Sequence, residues 1–219
     1  MTQTAMWLLL AVIVAIILIF SVLTKKKFTV REITLIAVMA ALSFVAYSFL
    51  RIPNVLGTGS SFHLGNTFTA LTAMLLDGVS GGLAGAIGLS LADIFAGDPG
   101  YAITTFVLKF IIGLCCGVFS HKIFKIKELS AKDGKKYFIA AVICATSGLM
   151  LNVLTDPFLG YFRNVYIFGQ TVDIATVWTK IAGGVTFINS VLSTICAFFL
   201  YVALRPALEK ARLLPGKKN

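Results

Sequence analysis

Seven apolar stretches dominate the pattern of the chain. Polar or charged segments separate them, and the long polar connections cover about 51–63, 125–135 and 158–175. The first stretch runs from residue 6 to residue 24 without a charged side chain, and the others cover about 31–50, 64–77, 79–97, 101–124, 136–157 and 176–204. A helix of roughly 20 apolar residues is long enough to cross the hydrocarbon core of a bilayer. The pattern therefore predicts an all-α membrane protein, with a six-helix transmembrane core and one extra N-terminal transmembrane helix.

The first and third stretches need separate interpretation. The segment MTQTA before the first stretch has no basic residue, and no A-x-A-like site precedes Lys25, so we expect a retained helix rather than a cleaved signal peptide. The stretches 64–77 and 79–97 are short and nearly continuous, which predicts a tight helical hairpin or tilted helices partly covered by protein. The predicted parts are an N-terminal helix with its basic stop (1–27), a membrane domain (28–206) and a basic tail (207–219).

The distribution of basic residues predicts the orientation in the membrane. The chain is 58% hydrophobic and only 13% charged, yet it carries a formal charge of +10. With seven alternating spans, one side receives Lys25, Lys26, Lys27, Arg31, Lys122, Lys125, Lys127, Lys132, Lys135, Lys136, Arg205, Lys210, Arg212, Lys217 and Lys218. The other side and the membrane interior share Arg51, Lys109, Arg163 and Lys180. Because Lys and Arg are retained on the cytoplasmic side, the C-terminus is predicted to be cytoplasmic and the N-terminus outside, in the plasma membrane. Topology explains the charge without a nucleic-acid partner.

Small residues mark two helices as packing or docking surfaces. The segment 78–96, GVSGGLAGAIGLSLADIFA, repeats Gly or Ala at every fourth position, which lets helix backbones approach closely in lipid. Such a helix is expected to lie centrally, either for helix packing alone or because it lines a cavity. A shorter pair, Ala37 and Ala41, lies in IAVMAALSFVAYSF with Met39 and Ser43 nearby. That strip either docks another subunit or packs internally.

Lys109 is the most informative ionisable residue. It lies about eight residues into a helix that starts near Tyr101, or roughly 12 Å from the entry surface at about 1.5 Å per residue. An ammonium near mid-membrane is costly unless it faces a polar cavity or a partner, so it indicates a functional site. The alternative is a buried pair with Asp93, which is compatible with a ligand role in the empty state.

Other polar residues are expected at a similar depth. Asn152 and Asp156 are one turn apart at the outer end of the sixth stretch, and Asn66 opens the third. Together they suggest a polar pocket open to the outside. The Asp156-Pro157 pair also indicates a helix end. Lys180 lies one turn into the last stretch, where it either contacts a ligand or extends to the outer surface.

The sequence offers little support for an enzyme or a metal site. Asp77-Gly78 and Asp93 faintly resemble the carboxylate motif of membrane phospho-alcohol transferases, but two carboxylates 16 residues apart, at opposite membrane faces, cannot share a metal. HExxH, a Ser/His/Asp set and the P-loop GxxxxGK[ST] are all missing from the sequence, so ATP hydrolysis would require partner subunits. His63 and His121 are isolated in the sequence. The cysteines have no metal-binding spacing and are expected to be small core residues. We therefore expect no metal, no cofactor and no catalytic residues, and we keep a membrane enzyme acting on lipid-linked substrates, or an assembly protein, as alternatives.

The order of these features resembles the substrate-binding S components of energy-coupling-factor (ECF) vitamin transporters. The resemblance covers about residues 30–204 and rests on three segments: the Ala37/Ala41 strip, HLGNTFTALTAMLLDGVSGGLAGAIGLSLADIFAG and TTFVLKFIIGLCCGVF. The extra N-terminal helix departs from the six-helix family pattern. The resemblance implies that Ala37 and Ala41 contact a transmembrane coupling subunit, and that residues 51–63 close over the substrate.

The resemblance also implies the function. The chain is expected to capture a vitamin or vitamin precursor from outside, for uptake driven by the coupling subunit and two ATPase subunits. The nearest branch is that of riboflavin-like, vitamin B6 and hydroxymethylpyrimidine uptake. The residues assigned to the substrate are Lys109, Asp93, Asn66, Asn152 and Lys180, in a protein surrounded by membrane lipid. A buried lysine with amides and aromatics suits a compact heteroaromatic ring.

Overall fold

Seven α-helices account for most of the residues that the structure describes. The computed structural model describes residues 2–25, 27–53 and 60–214. The helices are α1 (Gln3–Thr24), α2 (Val30–Phe49), α3 (Asn66–Leu75), α4 (Gly78–Phe95), α5 (Pro99–Val118), α6 (Lys135–Phe162) and α7 (Val172–Lys210). Two short strands, β1 (Ile52–Pro53) and β2 (Ser61–Phe62), pair antiparallel between α2 and α3. This order confirms the predicted all-α architecture, with one helix preceding a six-helix core.

The third helix is the exception among the predicted spans. Among the described residues, six helices are long and apolar enough to cross a membrane. This count takes α5 and α6 together with the π-helical turns that extend them, Phe119–Ile123 and Arg163–Ile167. Helix α3 has only 10 residues, or about 15 Å, which is half of a hydrocarbon core. All of its side chains except Phe68 are buried. It is therefore a half-length helix enclosed by protein, as the shortness of stretch 64–77 suggested.

An ion-pair cluster joins the ends of α1, α2 and the turn between α3 and α4. The Lys25 ammonium lies 2.9 Å from Glu32 and 2.5 Å from Asp77, and it donates to the Ser80 hydroxyl at 3.0 Å. Burial alone raises the pKa of Asp77, but the hydrogen bond and charge of Lys25, with donors from Ser80, outweigh it and hold that pKa below its ordinary value. The cluster places these helix ends at one membrane surface, which is consistent with alternating spans.

Helix α4 packs through its small residues. A Cβ at Gly113 of α5 would overlap the backbone of Gly82, and a Cβ at Gly88 would overlap the Ala40 carbonyl of α2. These backbones lie closer than side chains would allow, which is how helices associate tightly in lipid. The predicted central position of this helix is confirmed. Because α4 also carries Asp93 into a cavity, it both packs and lines a pocket.

The extra helix α1 lies against α5 and runs parallel to it. Leu10 contacts Ala102 and Ile103 near the start of α5, while Phe20 meets Phe110 edge to face further along, at 6.1 Å between ring centroids. Most other side chains of α1 are exposed and apolar, as expected for a helix that faces lipid. Helix α1 is thus a peripheral addition to the core, fixed by this packing and by Lys25.

The predicted helix end at Asp156-Pro157 is wrong. Helix α6 continues through Pro157 to Phe162, and a π-helical turn extends it to Ile167. A proline inside a helix removes one backbone donor, yet neighbouring helices can compensate for it in membrane proteins. The polar connection predicted over 158–175 is therefore mostly helical, and Asp156 projects from a helix interior rather than from its end.

On the Lys25 side, Arg205 anchors the connection between α5 and α6. This side chain is buried in α7 and donates to the carbonyls of Ile126 and Lys127, at 2.8 and 2.9 Å. It also pairs with Glu209, at 2.8 Å. The connection predicted at 125–135 is thus a fixed loop. The last five residues of the predicted tail, 215–219, lie outside the described residues.

Candidate binding site

A polar cavity lies at the end of the helix core opposite the Lys25 cluster. Its volume is about 80 Å³. Seven segments form its walls: α2, the segment from residue 60 through β2 to α3, α4, α5, α6, its π-helical extension and α7. The lining residues are Tyr47, Ser60, Ser61, His63, Asn66, Leu89, Asp93, Tyr101, Thr105, Lys109, Asn152, Asp156, Pro157, Gly160, Arg163, Asn164, Thr179, Ala182, Val185, Thr186 and Asn189.

Four of the five residues assigned to the substrate from the sequence meet at this cavity. Lys109, Asp93, Asn66 and Asn152 all line it, and each is at most 7% exposed. Lys180 does not line it; its side chain is exposed on α7, while its neighbour Thr179 faces the cavity. The structure thus brings together residues from α3, α4, α5 and α6 that are distant in sequence.

Lys109 lies deep in the molecule without an ion-pair partner. It follows Pro99 by ten residues, which places it about 15 Å along α5, near the middle of a hydrocarbon core. Among the described residues, ion pairs within 4 Å involve Lys25 and Arg205 but not Lys109. The buried pair with Asp93 that the sequence left open is therefore not formed.

Hydroxyl groups, rather than the ammonium, satisfy the nearby carboxylates. Asp93 accepts a hydrogen bond from Thr105 at 2.6 Å, and Asp156 accepts one from Thr186. Both carboxylates line the same cavity as Lys109. The two carboxylates attract the Lys109 ammonium without pairing with it, so the ammonium remains available to a ligand.

Several buried polar atoms in the cavity wall have no hydrogen-bond partner within the described structure. They include the side-chain oxygens of Asn66, Asn152, Asn164 and Thr179, and the Nε of Arg163. Buried polar groups are nearly always paired, because leaving one unpaired costs about 1–3 kcal/mol. A cluster of such atoms around one cavity indicates a place where the polar atoms of a ligand can bind. The asparagine oxygens are acceptors and require donors on that ligand.

His63 lines the cavity, although in the sequence it is an isolated loop residue. Its Nδ1 accepts a hydrogen bond from the Gly65 amide at 3.2 Å, so the neutral ring carries its proton on Nε2. The ring contacts Tyr47, with centroids 4.7 Å apart. Burial, together with the positive charges of Lys109 and Arg51, lowers the pKa of His63 to about 3, so this side chain is neutral at physiological pH.

Arg163 also lines the cavity and, like His63, was not assigned to the site from the sequence. It is 8% exposed, its guanidinium lies 4.0 Å from the centre of the Tyr101 ring, and it donates to Thr104 at 3.0 Å. The π-helical extension of α6 brings it there. Its position depends on α6 continuing past Pro157, which the sequence did not indicate, so no local signal could have identified it.

The Ala37/Ala41 strip lies on the outer face of α2. Both alanines are exposed, whereas Ala40, Met39 and Ser43 are buried. Internal packing of this helix therefore uses the neighbouring face, and the alanine strip is free to contact another molecule. Of the segment 51–63 expected to close over a substrate, residues 54–59 lie outside the described residues, and residues 60, 61 and 63 line the cavity.

The described residues contain no group of three or more His, Cys, Asp or Glu side chains that could hold a metal ion. The carboxylates of Asp77 and Asp93 are at opposite ends of α4, as expected from the sequence. The described cavity wall carries one ammonium, one guanidinium, two hydrogen-bonded carboxylates and several amides. Such a set can hold a polar solute in place.

Comparison with known proteins agrees with this architecture. No curated protein matches the chain significantly. The solved structure of ThiT from Listeria monocytogenes superposes with a TM-score of 0.60 at 22% identity, covering 81% of this chain and 96% of that one, so the two share a fold. The family described as "ECF-type riboflavin transporter, S component" matches residues 27–206. This family is a substrate-binding component of transporters and not an enzyme, which confirms the sequence prediction on both points. The chain belongs to the family of ECF-type riboflavin transporter S components.

Proposed function

We propose that this protein captures riboflavin, or a closely related heteroaromatic vitamin or precursor, in the cavity around Lys109. The ligand enters from outside and is released inward when the protein is joined to a transmembrane coupling subunit and two ATPase subunits. The family supports a vitamin-binding transporter component. The choice of ligand, the partners and the orientation are part of the proposal.

The observation that carries the proposal is the state of Lys109. Lys109 is 7% exposed and lies about halfway across the membrane, with no described carboxylate within 4 Å. Without a ligand to bind, such a lysine would only destabilise the fold. Facing a polar cavity whose asparagine oxygens are also unpaired, it has a direct use in binding a solute. Asp93, Asn66 and Asn152 assist it from the neighbouring helices.

Riboflavin suits the donors and acceptors of the cavity. Its ring system offers carbonyl oxygens to the Lys109 ammonium, and its imide N–H and chain hydroxyls are donors for the unpaired oxygens of Asn66, Asn152 and Asn164. The rings of Tyr47 and Tyr101 provide aromatic walls. Vitamin B6 and hydroxymethylpyrimidine have smaller rings and fewer donors, so they would satisfy fewer of these atoms.

The size of the cavity implies that a wall moves on binding. Small-molecule sites commonly measure about 300–1,000 Å³, whereas this cavity measures about 80 Å³. A three-ring ligand therefore requires the wall to move outward.

Ligand titration tests the proposal. The purified protein is titrated in detergent with riboflavin, followed by flavin fluorescence, and with pyridoxine and hydroxymethylpyrimidine by calorimetry. We expect saturable binding of riboflavin at one site per chain, tighter than that of the two smaller rings. Tighter binding of pyridoxine or hydroxymethylpyrimidine would show that the smaller ring, and not riboflavin, is the ligand. Binding of none of the three compounds would exclude this class of substrate.

A further inference from the structure

Asn189 holds one wall of the cavity through a pair of backbone hydrogen bonds. This residue of α7 is 4% exposed and lines the cavity. Its Nδ2 donates to the Ser61 carbonyl at 2.9 Å, and its Oδ1 accepts from the His63 amide at 3.1 Å. Both functional atoms of the side chain are thus committed to Ser61 of β2 and to His63, which follows the end of that strand.

The amide of Asn189 acts as the missing neighbour of strand β2. A strand presents the carbonyl and N–H of alternate residues to the same side, which is where a second strand would pair. On its other side β2 pairs with β1. The Ser61 carbonyl and the His63 amide would both lack a partner in the interior without Asn189, and buried backbone groups must be paired.

We propose that Asn189 is a positioning residue for substrate retention, which acts by holding Ser61 and His63 against the ligand. The inference rests on the proposed function, because it holds that the Asn189 hydrogen bonds determine how long the wall stays closed over a bound solute. Ser61 and His63 both line the cavity, so a solute that leaves past this wall must first displace their segment. Breaking the two bonds therefore belongs to the path of ligand release, and their strength sets the dissociation rate.

Three variants of the full-length protein test the inference. Asn189→Ala removes both hydrogen bonds, Asn189→Asp keeps the acceptor for the His63 amide but loses the donor to Ser61, and Ser193→Ala is the matched control. Ser193 lies one turn further along α7, is fully buried, and its hydroxyl has no partner in the described structure. Removing that hydroxyl leaves the wall intact.

Hydrogen–deuterium exchange of the protein without ligand gives the first measurement. We expect the amide of His63 to exchange at least tenfold faster in Asn189→Ala, at near wild-type rate in Asn189→Asp, and unchanged in Ser193→Ala. The amides of α7 should exchange as in the wild type. An unchanged His63 amide in Asn189→Ala, or faster exchange along all of α7 in the same variant, would overturn the positioning role.

Riboflavin kinetics by stopped-flow fluorescence give the second measurement. Loss of two neutral hydrogen bonds should raise the dissociation rate about 5- to 30-fold in Asn189→Ala, with a smaller rise in Asn189→Asp and little change in the association rate. A slower association with unchanged dissociation would contradict the inference. If riboflavin fails to bind the wild type, the proposed ligand is wrong, while the exchange experiment still decides whether Asn189 holds the wall.

Discussion

Replacing Lys109 by methionine separates a binding role from a structural one. Methionine keeps the length and volume of the side chain but removes the ammonium, so the packing around α5 is conserved. If the ammonium binds the ligand, affinity falls while the fold remains stable. If the ammonium stabilises the fold through a buried pair, the fold is destabilised instead.

The two roles predict different magnitudes. A hydrogen bond to a charged group contributes about 1.5–3 kcal/mol, which corresponds to about a 10- to 150-fold weaker Kd for riboflavin. Breaking a buried ion pair would cost about 3–5 kcal/mol of stability. Because no described carboxylate lies within 4 Å of Lys109, we expect no such loss in the protein without ligand, and a slight stabilisation from removing a buried charge.

Fluorescence titration and thermal unfolding measure the two quantities on the same preparations. Lys180→Met is the matched control, because Lys180 is exposed on α7 and does not line the cavity. We expect it to bind riboflavin as the wild type does. Unchanged affinity in Lys109→Met would refute the binding role, and a large loss of thermal stability would show that the ammonium has a structural partner.

Three further predictions concern packing, pH and partners. Gly113→Ala should lower stability by about 1–3 kcal/mol or more, because its Cβ would overlap the backbone of α4, whereas Gly184→Ala, which meets no atom within 4 Å, should be neutral or slightly stabilising in thermal unfolding. Folding lowers the pKa of Asp77 from an ordinary value of 3.8, so the ionised carboxylate stabilises the fold above that pH, and this stabilisation is lost as the pH falls through the folded-state pKa. In Asp77→Asn, the free energy of unfolding should therefore fall less between pH 6 and pH 3 than in the wild type. Ala41→Trp should prevent copurification with the coupling subunit while riboflavin affinity stays unchanged. Leu42→Trp, at an exposed position about 100° further around α2, should leave both unchanged.

The fold was largely predictable because membrane helices follow from the length of apolar runs. The seven stretches and their order agree with the structure, and the shortness of the third correctly indicated a protein-covered helix. The end of α6 was not predictable from Pro157, because neighbouring helices can replace the backbone bond that a proline removes. That replacement is a tertiary effect.

The candidate site was partly predictable for a similar reason. Lys109 and Asn152 were identifiable because polar residues inside apolar helices are costly. Lys180 illustrates the limit of depth alone: it follows Thr179 by about 100° around α7, so one side chain faces the cavity and the next does not. His63 and Asn189 meet only because a strand and a helix pack together, which no local pattern records.

Mass spectrometry of small molecules released from the purified protein tests the central claim most directly. Wild-type protein and Lys109→Ala are purified in parallel from cells supplied with riboflavin, and the released compounds are quantified per chain. The account predicts that the wild type carries a heteroaromatic vitamin at close to one molecule per chain, and that the variant carries much less of it. Equal amounts in both preparations would contradict the assignment of the cavity around Lys109 as the site of capture.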